Sequence, residues 1–146
     1  MRERLLGPDH PDIAEVLNNL AVLLQRAQGR PQEAEPLYQR ALVMQERLLG
    51  PHHHDVARTL SNLGFLLCDT DRAGEGIAML ERAKRILQKA FPDGHPNLVT
   101  VLRSLATAYS REGLAKKAKQ LRPQADKMDR DPKAANTPRP PDPPAP

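Results

Sequence analysis

Side chains able to do chemistry are few in this 146-residue chain, and most lie between its apolar runs. All five histidines (His10, His52, His53, His54 and His95) fall in Gly- and Pro-rich connections. The run His52–His54 has the composition of a metal site. Such a site needs three or four converging donors held by a further layer of hydrogen bonds. Consecutive loop residues are expected to point in different directions, so loop polarity is the better account, and neither a metal nor another cofactor is expected. Cys68 is the single cysteine, which leaves no internal disulfide; it reads as a small apolar residue near a helix end. The sequence pairs no nucleophile with a base, forms no phosphate-cradling glycine loop and sets no carboxylate pair for acid–base work. The chain is therefore not expected to be an enzyme.

What must position these residues is a repeat. Glu-Arg-Leu-Leu-Gly-Pro occurs at Glu3–Pro8 and again at Glu46–Pro51, 43 residues apart. A period near 42 residues, each holding two apolar helices, predicts an all-α solenoid in which every hairpin buries its apolar face against its neighbours. The repeat domain covers residues 1–128, with units at about 7–48, 50–90 and 92–128. Residues 1–6 match Met44–Leu49 and read as the end of a preceding repeat helix. With aromatics at 3% and no Trp, the core has to come from Leu, Ala, Val and Ile.

In the first helix of each unit, Leu17, Leu20 and Leu24 correspond to Leu60, Leu63 and Leu67, then to Leu102, Leu105 and Tyr109. Spacings of three and four place them on one face, the predicted buried stripe. A small residue follows the central leucine each time (Ala21, Gly64, Ala106), which would admit a partner helix closely. The second helices carry Ala34, Leu37, Tyr38 and Ala41, then Ile77, Leu80 and Ala83. Pro36 and Pro123 break the local rule against interior proline; a kink is expected at the first and a frayed or broken last helix at the second. Unit one carries one extra residue between Leu24 and Gly29.

These strings resemble the tetratricopeptide repeat, in the roughly 42-residue form of kinesin light chains and nephrocystin-type proteins. The match lies in Leu6–Ala14, in Leu17-Asn18-Asn19-Leu20-Ala21 and in Glu33–Leu42, and extends over about residues 1–127. The resemblance implies a right-handed α-solenoid of about three hairpins. It also implies that the first helices line a concave groove, with Glu15, Asn18, Asn19 and Val22, then Arg58, Ser61, Asn62 and Phe65, then Thr100, Arg103, Ser104 and Thr107 facing it. Asn18, Asn19 and Asn62 could both donate to and accept from an extended peptide backbone. Arg58 and Arg103 could hold a carboxylate bidentately. These five are the candidate peptide-binding residues; a framework role for the asparagines competes with that reading.

The surplus of charge, +4 overall, sits in the third unit, where residues 93–128 carry seven basic and three acidic groups. That is a local bias near Lys116, Lys117 and Lys119, not the broad basic face of a nucleic-acid binder. Residues 129–146 form a proline-rich tail, expected to be disordered, with Pro138–Pro141 in a PxxP pattern. No apolar run is long enough to span a bilayer, and a cytoplasmic location is expected. The reading is a protein–protein interaction scaffold or adaptor that holds an extended peptide or partner helix in its groove. Two alternatives stand beside it: a fragment of a larger repeat protein that self-associates through the exposed face of its first unit, and a weak nucleic-acid-binding module.

Overall fold

The computed structural model describes residues 10–27 and 29–130, and among these the secondary structure is entirely helical. The helices are α1 (Pro11–Arg26), α2 (Pro31–Leu49), α3 (His54–Asp69), α4 (Ala73–Ala90), α5 (Pro96–Arg111) and α6 (Ala115–Arg130). They pair as three antiparallel hairpins, α1–α2, α3–α4 and α5–α6. Each second helix also packs on the next first helix, α2 on α3 and α4 on α5. The architecture is the expected all-α solenoid. Residues 1–6 and the PxxP tail lie outside the described residues.

Local chemistry sets the helix boundaries. At the start of α1, α3 and α5 stands a histidine in extended conformation whose Nδ1 accepts the backbone N–H two residues on. His10 holds Asp12 at 3.1 Å, His53 holds Asp55 at 3.0 Å and His95 holds Asn97 at 3.0 Å. Each satisfies one of the donors that a helix N-terminus leaves orphaned. Pro11 and Pro96 then occupy first-turn positions, where a missing N–H costs nothing.

The first helices end on one device. A residue in the left-handed region, Gly29 (φ 60°), Asp71 (φ 66°) or Gly113 (φ 77°), turns the chain back. The next N–H then returns to the helix: Arg72 to the carbonyl of Leu67 at 3.0 Å, and Leu114 to that of Tyr109 at 2.8 Å. In unit one the same bond runs from Arg30 to Leu24 at 2.8 Å, one residue longer, which absorbs the extra residue of that unit. Asp71 takes a conformation that glycine holds at less cost.

The core runs as one cluster from Ala21 to Ala125, with a smaller one of Ile13, Ala14, Leu17, Ala41 and Met44 at the first hairpin. Close approach within the central hairpin depends on two glycines. A Cβ on Gly76 would stand 2.6 Å from the Gly64 carbonyl oxygen and 2.6 Å from Cys68 Sγ; one on Gly64 would stand 2.9 Å from the Gly76 carbonyl oxygen. Here the small residues do what their spacing predicts. Thr59 and Gln45 form a buried polar pair, Thr59 Oγ1 donating to Gln45 Oε1 at 2.6 Å. Units one and three place Val16 and Val101 at the threonine position.

Three expectations are corrected. Leu20 does not join the buried stripe: it is 44% exposed, whereas its counterparts Leu63 and Leu105 are fully buried. Pro123 does not break the last helix. It lies on the exposed side of α6, where water can satisfy the Lys119 carbonyl that its missing N–H leaves unbonded. The helix also runs through Asp129 and Arg130, two residues into the stretch assigned to the tail, and Arg103 Nη2 meets Asp129 Oδ2 there at 3.1 Å.

Candidate functional site

Neighbouring first helices approach one another, α1 to α3 and α3 to α5, and so form the inner row of the array. Between α3 and α5 this row opens into a recess of about 250 Å³. Its apolar base is formed by Leu80 from α4 and Ala108 from α5, with Phe65 of α3 standing 44% exposed at its side. Around them stand Arg103, Ser104 and Thr107 of α5. An ion pair from Arg111 Nη1 to Asp69 Oδ1, 3.0 Å, ties α5 to α3 at one end.

Cys68 lines the same recess. Burial, reinforced by the Asp69 carboxylate, pushes its thiol above the usual range against the opposing pull of Arg111. A thiol so placed stays protonated and is a poor nucleophile. The recess offers an apolar side chain a seat and offers a backbone hydroxyl and guanidinium partners.

The five sequence-predicted residues do not converge on one point. Asn18 is buried, and its Oδ1 accepts from Asn62 Nδ2 at 3.3 Å, so these two join α1 to α3. Asn19 is exposed on α1. Arg103 lines the recess, but its guanidinium also meets Asp126 at 3.2 Å and Asp129 at 3.1 Å on α6. Arg58 lies elsewhere, in a cavity of about 210 Å³ with His54, Asp55, Leu87, Phe91, His95 and Asn97. Sequence reasoning missed Asp69 and Arg111, although they stand 42 residues apart, one repeat, and that period was the available signal.

The tyrosines brace the array. Tyr38 OH donates to Gln25 at 2.8 Å within the first hairpin, and Tyr109 OH donates to Glu81 at 2.6 Å across the second and third. Burial pushes both phenols up to about 12, opposed at Tyr38 by Arg26 and reinforced at Tyr109 by the Glu81 carboxylate. Burial also works to raise Glu81, but bonds from Tyr109 and Lys84 outweigh it and hold that carboxyl below its ordinary range.

The histidine run corrects another expectation. His53 and His54 do not diverge: their rings stack with centroids 4.2 Å apart, and with Asp55 they bring potential metal-binding atoms within 4.8 Å of one another. His53, however, is buried and its Nδ1 is already the acceptor of the α3 cap. In the neutral ring the proton then sits on Nε2, leaving that residue no lone pair for an ion. The cluster is built as a helix start.

Among the described residues no helix is long and apolar enough to cross a membrane. Two family models, each described as Tetratricopeptide repeat, match residues 13–55 and 55–121. Comparison with curated proteins finds no match. Among solved structures, the fold is similar to the crystal structure of BtubC (BKLC) from P. vanneervenii, with a TM-score of 0.71 and 28% identity. That likeness covers 78% of this chain and 45% of the other, so the chain spans less than half the length of that protein. Repeats of this type generally mediate protein–protein interaction. The two matching models, the three stacked hairpins and the 42-residue spacing of Asp69 and Arg111 place the chain in the tetratricopeptide repeat family, in its kinesin-light-chain-like form.

Proposed function

We propose that the chain is a non-enzymatic scaffold or adaptor that holds an extended peptide or a partner helix along the row of its first helices. The observation that carries this reading is the recess between α3 and α5. Phe65, a large apolar side chain, stands exposed beside an apolar floor, and the rim supplies hydroxyls and guanidiniums. Exposed aromatics ringed by polar groups are typical anchors of protein interfaces. Asn19, Asn62 and Arg103 would add contacts to a bound backbone or carboxylate, and Arg58 would do so only for a ligand long enough to reach its separate cavity.

A peptide-display library selected on the whole chain tests this. Selected peptides are expected to lose about tenfold or more in affinity on Phe65→Asp, a loss of hot-spot size. They should be indifferent to Val43→Asp on the outer surface of α2, where Val43 is 60% exposed. Peptides that bind both variants as well as the parent would move the interaction off the inner row. Helicity of each variant, measured alongside, separates loss of the site from loss of the fold.

A further inference from the structure

Given the reading of the inner row as a peptide groove, on which this rests, we propose that the bound segment is basic. It seats an apolar side chain in the recess between α3 and α5 and lays a lysine or arginine in the cavity beside it. That second cavity, about 610 Å³, adjoins the recess at the Asp69–Arg111 ion pair, and Cys68, Asp69 and Arg111 line both. It follows the turn from α3 into α4 and the end of α5, where Asp71, Arg72, Glu75 and Glu112 complete its charged lining.

Both guanidiniums of this lining are engaged within the array. Arg111 Nη1 holds Asp69 at 3.0 Å. Arg72 holds Glu75 through Nε at 2.6 Å, and through Nη1 it holds both oxygens of Glu35 on α2, at 2.8 and 2.6 Å. Asp71 and Glu112 are exposed, and among the described residues no hydrogen bond or ion pair engages either carboxylate. No described lysine lines either cavity. On the far side of the recess Arg103 is met by two carboxylates, Asp126 and Asp129. Carboxylates thus outnumber guanidiniums along this run, in a chain whose net charge is +4. The Cys68 thiol, where the two cavities join, feels the same excess. After burial, the Asp69 carboxylate does most to raise it, and Glu112 adds to that against Arg111.

An extended cation fits this surface better than a metal ion does. Among the described residues the one group able to gather around an ion is His53, His54 and Asp55, so the carboxylates here are too dispersed for that role. A lysine or arginine has a long apolar stem and a charged head, and can run past Cys68 and Ala73 to reach Asp71 or Glu112. An acidic segment would meet unpaired groups of its own sign, which selects against it.

A random-peptide library panned on the full chain tests this, with each selected peptide sorted by its loss on Phe65→Ala, which removes the anchor without adding charge. Peptides that depend on Phe65 are expected to carry a lysine or arginine close to an apolar residue. Asp71→Asn combined with Glu112→Gln should weaken them about three- to tenfold, since each exposed charge pair contributes up to about fivefold. Both replacements spare the fold: asparagine tolerates the left-handed conformation of Asp71, and Glu112 closes α5 through its backbone N–H. Replacing the peptide's basic residue by glutamine should cost as much on the parent chain and little more on the double variant. Glu112→Lys should move the preference toward glutamate at that peptide position. Phe65-dependent peptides that lack basic residues, or that bind the double variant as well as the parent, would overturn the proposal and leave the groove reading standing. A library that yields no Phe65-dependent peptide would overturn both.

Discussion

The first hairpin and the central hairpin carry leucines at the same three positions of their first helices, and the two sets are buried to different degrees. Leu17, Leu20 and Leu24 stand where Leu60, Leu63 and Leu67 stand. In the central hairpin all three leucines are buried; in the first, Leu17 is buried, Leu24 is half-buried and Leu20 is open. Leu17 is covered within its own hairpin, in the cluster with Ala41 and Met44, whereas Leu20 is not, so identical side chains at one repeat position contribute differently. In a solenoid the stabilising free energy lies largely in the interfaces between units, and this pair of hairpins shows it residue by residue.

The widest separation between the two regions should come from one substitution made twice. Leu63→Ala removes a side chain from a closed core and is expected to cost about 2–5 kcal/mol. Leu20→Ala should cost under about 1 kcal/mol, as an exposed substitution does. Urea midpoints of both variants test this, and equal losses would show that something covers Leu20 in solution.

Next in size is the helix contact within each hairpin. Gly76→Ala places a Cβ against the Gly64 carbonyl and the Cys68 thiol, both at 2.6 Å, and the carbonyl belongs to a packed backbone. Overpacking of this kind costs about 1–3 kcal/mol, offset by the ~1 kcal/mol that alanine gains over glycine in a helix. The first hairpin already holds Ala34 at the matching position, fully buried. The first hairpin therefore accommodates a Cβ at a position where the central one does not. Gly76→Ala should lower the unfolding midpoint; a raised one would mean that α3 and α4 can part without loss.

A difference of comparable size lies in the polar pair of the central hairpin. Thr59→Val copies the residue types of units one and three but leaves the Gln45 Oε1 without its buried donor, at a cost of about 1–3 kcal/mol. Adding Gln45→Leu should recover most of that loss, since removing both partners of a buried bond is close to neutral. A double variant no better than the single one would show that the site cannot accept the leucine.

Much of this fold is legible in the sequence, because the signals that specify it are local. The leucine spacing gives the helices, the glycines and prolines give the turns, and Ala21, Gly64 and Ala106 mark the close approaches. What escaped depends on residues far apart in the chain or on chemistry outside the usual signals. The exposure of Leu20 depends on what packs against α1 from outside its own hairpin, which no periodicity encodes. The ion pairs from Arg103 to Asp126 and Asp129 join residues 23 and 26 positions apart, so a side chain read as facing the groove is also engaged by α6. The histidine caps carry no such signal, because serine, threonine, aspartate and asparagine are the habitual residues there. The candidate site is less legible than the fold, since composition cannot tell that Arg58 and Arg103 enter separate cavities.

Those caps supply the finest contrast, within a single repeated position. His95 caps α5 as His10 and His53 cap their helices, but Asn97 stands where the others have Asp12 and Asp55. Its ring lies against Phe91, centroids 4.2 Å apart, in the cavity it shares with His54, Asp55 and Arg58. Burial holds the His95 imidazole below its ordinary titration range. Unfolded, the ring takes up its proton near the usual value of about 6.5. Folded, it does so at lower pH, so between the two the unfolded chain carries more protons and stability rises with pH. The contribution is whole above about pH 6.5, is lost as pH falls through that value, and levels off once the folded ring is charged as well. Protonation at Nδ1 would also remove the acceptor that holds the Asn97 N–H. His95→Asn keeps a capping acceptor and has no proton to gain. Urea midpoints taken from pH 8 to pH 5 should fall more steeply for the parent chain than for this variant, whereas parallel curves would place the acid sensitivity of the array elsewhere.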